Sequence, residues 1–202
     1  MDKRHFKRVA KIRGWRESAF LAALAERNQI NLLFFAQLAE DAVDWPVQPV
    51  THALELVWRR LTQDQSFRAI RQLLPVEEMI ERLSGDDHFG ALAAGTACEL
   101  IREALLSMEN DHVRRAERAA RQSLDLVIRY EELRHDDVPE ENWVGLLDAS
   151  PLVQSELAFQ DELARQLQAL KGPDPEVLAG LRALAHQDGV SNLGISLSDE
   201  EA

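Results

Sequence analysis

The stretch from residue 111 to residue 134, DHVRRAERAARQSLDLVIRYEELR, decides the fold class of this chain. Its apolar side chains recur every three or four residues, at Val113, Ala116, Ala120, Leu124 and Val127. Because an α-helix has 3.6 residues per turn, this spacing places the five side chains on one face. The stretch therefore predicts a helix with a single buried stripe.

Comparable patterns elsewhere predict about eight to ten helices in one all-α globular domain that spans residues 1–202. The predicted helices cover residues 3–13, 15–41, 50–62, 66–74, 88–108, 111–134, 151–170 and 175–188, with short helices after Pro75 and Pro139. Ser150 and Asp174 each precede a proline, which is typical of an N-cap and a first helical residue. Gly189 is predicted to end the last helix in a left-handed conformation. An extended acidic tail, 190–202, follows it.

Composition indicates an ordinary globular protein. The chain has 202 residues, of which 46% are apolar and 29% are charged. Cys98 is its single cysteine, so no intramolecular disulfide can form. No apolar run reaches the roughly 18–20 residues that a membrane-spanning helix needs, and no secretory signal follows the basic N-terminus. We therefore predict a cytoplasmic location.

Charge is distributed unevenly along the chain. Residues 1–16 hold seven basic residues and one aspartate, a net charge of +6, which leaves −18 for the remainder of a chain whose net charge is −12. An acidic body repels nucleic acid and anionic lipid, so we predict neither as a partner. The basic segment 1–16 could bind an acidic partner, a membrane or a nucleic acid. We favour its docking on the chain's own acidic body.

Two Glu-x-x-His motifs, Glu109 to His112 and Glu132 to His135, suggest a metal site, because paired motifs of this kind supply ligands in di-iron helical bundles. Here the two motifs lie about 23 positions apart, or roughly 35 Å along a helix, which is too far for one shared centre. His52 and Glu55 share a helix face, but no second pair lies nearby. We predict no metal and no cofactor.

No catalytic residue is predicted. Cys98 lies among small apolar residues and is predicted to be a buried thiol, whereas a reactive thiol needs exposure and a nearby positive charge. Ser191 follows a helix end, as a nucleophile can, but without a partner base it is predicted to satisfy backbone groups in a turn. Trp58 is predicted to anchor the core, and packing is also favoured for Trp45, with an exposed partner surface as its alternative. The chain has no glycine-rich phosphate loop and no Gly-x-Ser-x-Gly motif.

Four short segments, taken in order, resemble the bacterial uncharacterised family typified by the enterobacterial YjaG protein. The segments are Leu24-Ala25-Glu26-Arg27, Trp58-Arg59-Arg60-Leu61, Ala97-Cys98-Glu99-Leu100 and Gly189-Val190-Ser191-Asn192-Leu193-Gly194-Ile195. The resemblance implies an all-helical cytoplasmic protein of unknown function, with a suggested genome-context association with sensor kinases. It supplies no catalytic residues, and the basic residues of 1–16 depart from the family pattern.

Two functions remain open from the sequence. The first is a non-enzymatic interaction or regulatory protein with a protein partner, with a homodimer as one form of it. The alternative is a small-molecule enzyme whose pocket lies between helices and uses carboxylates and arginines. An enzyme would show a concave pocket with convergent polar groups and shifted pKa values, whereas an interaction protein would show an exposed contact surface.

Overall fold

The computed structural model describes residues 3–39, 45–110 and 113–197, with the side chains of residues 3, 4 and 140 left aside, and this part of the chain is all-α. It contains nine α-helices: α1 (Lys3–Val9), α2 (Trp15–Leu38), α3 (Val47–Gln63), α4 (Leu73–Leu83), α5 (Phe89–Glu109), α6 (Ala116–Arg134), α7 (Trp143–Ala149), α8 (Pro151–Ala169) and α9 (Pro175–His186). Short 3₁₀ turns lie at Ala69–Gln72, Glu140–Asn142 and Gln187–Gly189. The predicted fold class is confirmed.

Two central helices, α2 and α5, organise the core. Helix α2 is buried on most of its circumference from Glu17 to Leu32, and its most extensive contacts are with α5. Small residues of α5 such as Ala94 and Ala97 are fully buried, which allows the two backbones to approach closely. Because α2 is buried on nearly every side, the other helices surround this pair. Helices α3, α6, α8 and α9 all contact α2.

Several helix ends differ from the sequence prediction. Helix α6 begins at Ala116 rather than residue 111, and Val113 is exposed instead of lying on the buried stripe. Residues 111 and 112 lie outside the described part. Helix α9 ends at His186 with Gln187 as its left-handed C-cap, whereas Gly189 has the predicted left-handed conformation, with φ 79°, but ends the 3₁₀ turn that follows the helix. The predicted N-caps are confirmed, since Ser150 and Asp174 accept backbone hydrogen bonds from the first turns of α8 and α9.

The basic N-terminal segment docks on the body of the chain. Helix α1 lies against α6 and α8, and Phe6, Val9 and Ile12 are buried there. The Nε2 atom of His5 lies 2.8 Å from the Gln160 side-chain oxygen. Arg8 pairs with Asp161 at 2.9 Å. Apolar burial and the contacts of His5 and Arg8 therefore hold the segment, and Lys7 and Lys11 remain exposed.

The described part of the predicted tail, residues 190–197, is held by its own turn and by α2. The Ser191 hydroxyl accepts hydrogen bonds from the backbone N–H groups of Leu193 and Ile195, both at 3.2 Å. Asn31 of α2 donates to the Asn192 side-chain oxygen at 3.0 Å. Ser191 is thus a turn residue, as predicted. Residues 198–202 lie outside the described part.

Cys98 should be inert in the native protein. Its side chain is fully buried, and burial, with a smaller contribution from the charge of Glu99, raises the pKa of the thiol to about 12. Because the thiolate is the reactive form, we expect Ellman's reagent to label the native protein only as fast as the core opens. One equivalent should react at once in guanidinium chloride. Rapid stoichiometric labelling without denaturant would contradict this assignment.

Candidate functional site

A charged cleft of about 640 Å³ lies between α3 and α9, with α2 at its base. Its charged or titratable side chains are Glu26 from α2, Glu55 and Arg59 from α3, and Arg182 and His186 from α9. Pro175, Ala179 and Ala183 form a small apolar wall on α9. The volume falls within the range of small-molecule sites.

Glu26 is the buried anchor of the cleft, with 5% of its surface exposed. Its Oε2 atom accepts a hydrogen bond from the indole N–H of Trp58 at 2.8 Å, and Trp58 itself is fully buried, as predicted. Its Oε1 atom lies 3.4 Å from Nε of Arg182 and 3.6 Å from Nδ1 of His186. Two cationic or protonatable groups from α9 are therefore drawn to one carboxylate on the central helix.

Glu55 contacts two arginines, Arg59 on its own helix α3 and Arg182 on α9. Its Oε2 atom lies 2.7 Å from Nη2 of Arg182, and its Oε1 atom accepts a hydrogen bond from Nε of Arg59 at 3.0 Å. Burial raises the pKa of Glu55, but the hydrogen bonds and charges of Arg182 and Arg59 outweigh burial and hold the pKa below its ordinary value. A carboxyl group with a lowered pKa stays ionised down to acidic pH.

Several guanidinium N–H groups in the cleft have no hydrogen-bond acceptor among the described residues. Arg59 uses only Nε, and Arg182 uses Nε and Nη2, so the described residues supply no acceptor to their remaining guanidinium nitrogens. His186 is half-exposed, and its Nδ1 atom faces Glu26. The N–H donors that remain for a ligand are thus those of the two guanidinium groups, with the carboxylates already engaged by arginine.

Carboxylates, arginines and a histidine line the cleft, but among the described residues none of its hydroxyl groups is placed as a nucleophile. Thr62, which lines it, donates its hydroxyl to the carbonyl of Trp58. Glu55 is held ionised by its arginines, which makes it a poor proton donor. The arrangement suits recognition of a ligand by fixed charges more than proton transfer.

Most residues that the sequence singled out lie away from the cleft. Glu109 accepts a hydrogen bond from the backbone N–H of Ile70 at 3.3 Å, and His135 lies 3.6 Å from Glu131. His112 is outside the described part, so the distance between the two Glu-x-x-His motifs stays a prediction. Within the described residues, no group of three or more His, Cys, Asp or Glu side chains is placed to hold a metal ion.

Glu55 was noted in the sequence only as a companion of His52, which is exposed on α3. No sequence pattern assigns a role to Glu26, Arg59 or Arg182. Glu26, Trp58 and Arg59 nevertheless lie in two of the segments that carried the family resemblance. The structure places residues of both segments in one cleft. Their part in the family resemblance was therefore the sequence signal that could have pointed to this site.

Comparison with known proteins gives a consistent assignment. The family described as "Protein of unknown function (DUF416)" matches residues 4–196. The chain is 28% identical to the uncharacterised protein YjaG of Escherichia coli strain K12, over 93% of this chain and 94% of that protein. It is 27% identical to an uncharacterised protein of Haemophilus influenzae, over 94% and 95% of the two chains.

A solved structure shows the same fold. The crystal structure of a DUF416 family protein from Shewanella baltica OS155 superposes with a TM-score of 0.81 at 24% identity. The match covers 95% of this chain and 98% of that one. For the described part of this chain, no helix is both long enough and apolar enough to cross a bilayer.

Proposed function

The chain belongs to the DUF416 family, and we propose that it is a non-enzymatic regulatory protein that binds a small organic anion in the charged cleft. One observation carries the proposal. Arg59 and Arg182 converge on the cleft with guanidinium N–H donors that no described residue engages. The link to bacterial signalling stays a prediction of the family resemblance.

An anion with two or more oxygen acceptors fits these donors. A guanidinium presents paired N–H groups that match the oxygen spacing of a carboxylate or a phosphate. The contacts of Arg59 and Arg182 with Glu55 fix both guanidinium groups before a ligand arrives, which lowers the entropic cost of binding. The apolar wall of α9 would contact a short carbon skeleton. We therefore favour a carboxylate or phosphate ester over a cation.

Binding without chemistry is favoured over the enzyme alternative. Among the described residues, no serine or cysteine lines the cleft, and its threonine hydroxyl is donated to backbone. Both carboxylates are paired with Arg182, and the lowered pKa of Glu55 makes that carboxylate a weak base near neutral pH. Conversion of a bound anion into a new compound would support the alternative, a small-molecule enzyme.

Arg59 should control anion affinity. A panel of acetate, succinate, citrate and inorganic phosphate can be screened by thermal unfolding and then by calorimetry, since a ligand that binds only the folded state raises Tm. We expect Arg59→Gln to weaken the best anion by about 10-fold to 100-fold, because hydrogen bonds to charged groups contribute about 1.5–3 kcal/mol.

Arg60→Gln is the matched control. Arg60 is the next residue of the same helix, has a similar exposed fraction and pairs with Asp64 outside the cleft. It should leave the affinity within about twofold of the wild type. Equal weakening by both substitutions, or no saturable binding by any anion of the panel, would contradict the proposed function.

A further inference from the structure

A second charged surface runs along α6, on a different part of the molecule from the cleft. It consists of two adjoining depressions of about 330 and 510 Å³ that share Arg118 and Arg121 as walls. Five arginines line the pair: Arg13, Arg114, Arg118, Arg121 and Arg129. We call these two depressions the basic groove.

The carboxylates that line the basic groove do not neutralise it. Glu17 is buried and uses Oε1 to accept two backbone N–H groups at the start of α6. Glu117 pairs with Arg121 at 2.8 Å, Arg118 pairs with the buried Glu103, and Asp125 is the third carboxylate of the lining. Arg114 and Arg129 are exposed and have no ion-pair partner among the described residues. The groove thus keeps a positive excess on a chain whose net charge is −12.

Docking of the N-terminal segment extends this positive surface. Ala10 and Arg13 form one edge of the groove, and the Arg121 guanidinium lies 3.9 Å from the centre of the Phe6 ring. Lys7 and Lys11 of the same segment are exposed. Docking therefore brings the basic segment beside the arginines of α6, while Arg8 of the segment pairs with Asp161 of α8.

We propose that the basic groove binds a short acidic segment of a partner protein. Arg118 and Arg129 lie eleven residues apart on α6, roughly 16 Å along the helix axis. An extended chain of about five residues covers that distance at about 3.3 Å per residue. Leu92, which is 39% exposed, lines the second depression and offers a contact for one apolar residue among the acidic ones.

Charge separates this partner from other polyanions. Outside residues 1–16 the chain carries a net charge of −18. A long nucleic acid or an anionic membrane would extend beyond the groove and meet this acidic body, whereas a short segment stays within the groove. The proposal is independent of the cleft and of the ligand bound there.

The test uses a fluorescent peptide, Glu-Glu-Glu-Leu-Glu-Glu, with fluorescence anisotropy on the full chain. We expect saturable binding that is lost when glutamine replaces the glutamates. The variant carrying Arg114→Gln and Arg129→Gln should bind at least about 10-fold more weakly, because it removes two charges without breaking an ion pair among the described residues. Unchanged unfolding of this variant would confirm that the fold is intact.

The control carries Arg82→Gln and Arg165→Gln, which remove the same charge from two exposed pairs outside the groove. It should weaken peptide binding by less than about threefold, an effect of net charge alone. Equal weakening by both double variants would overturn the proposal. So would tighter binding of duplex DNA or anionic vesicles than of the peptide, or a groove-dependent dimer in analytical ultracentrifugation, which would assign the groove to a second copy.

Discussion

Replacing Glu156 with alanine is expected to destabilise the protein by about 3–5 kcal/mol, the largest effect among the substitutions considered. Glu156 is fully buried on α8, and its Oε2 atom accepts a hydrogen bond at 3.0 Å from Nε of Arg27, which is 3% exposed. Its Oε1 atom accepts hydrogen bonds from Ser123 and Gln160, both at 2.7 Å. Removing the carboxylate leaves a buried guanidinium uncompensated and two donors without an acceptor.

Urea unfolding of a set of single and double variants tests this expectation. Glu156→Gln keeps an acceptor and should lose less stability than Glu156→Ala. The double variant Arg27→Met with Glu156→Leu removes both charges and should be more stable than Glu156→Ala alone, because buried ion pairs gain little over apolar packing. Glu162→Ala, on an exposed face of the same helix, should have little effect. Strict additivity of the Arg27 and Glu156 substitutions would contradict the predicted coupling.

Glu17→Ala is expected to have the second largest effect, about 2–4 kcal/mol, since each buried donor left without a partner costs about 1–3 kcal/mol. Glu17 belongs to α2 but caps α6. Its Oε1 atom accepts the backbone N–H groups of Arg115 at 2.7 Å and Ala116 at 2.9 Å. No side chain at the N-cap position of α6 performs this role. The carboxylate also complements the positive end of the α6 dipole.

Hydrogen exchange at the amides of Arg115 and Ala116 gives a local readout of this cap. Both amides should exchange faster in Glu17→Ala, together with the loss in global stability. Glu17→Gln keeps a side-chain carbonyl in the same place, so its loss should be smaller, about 0.3–1 kcal/mol from the missing charge. If the alanine and glutamine variants lose the same stability, or if exchange at the two amides is unchanged, Glu17 is not the cap.

Periodicity predicted the all-α fold because each helix repeats its apolar residues along its own sequence. The start of α6 could not be predicted in the same way. The cap that defines it comes from Glu17, 98 positions away from Arg115, and no local pattern reports such a contact. The apolar spacing of α6 continues back to Val113 in the sequence. The structure places Val113 outside the helix, and its side chain is exposed.

The candidate site was harder to predict from the sequence than the fold was. Glu26, Glu55 and Arg182 are far apart in the chain and belong to three helices, so their spacing indicates no chemistry. Only tertiary packing places Arg182 between the two carboxylates. From the sequence, two kinds of function stay predictions: an interaction or regulatory protein, and an enzyme whose pocket uses carboxylates and arginines. The residues themselves could not be paired, and the extent of the domain over 1–202 stays a prediction.

The proposed function requires that Arg59 and Arg182 recognise an anion in the cleft. The most direct test follows the Nε–H resonances of the arginines by NMR while acetate, succinate, citrate or phosphate is titrated into the protein. We expect saturable shifts at Arg59 and Arg182 with one of these anions, and no shift at Arg165, which lies on α8 and pairs with Glu162. Saturable binding that moves other arginines, or none of these resonances, would contradict the claim.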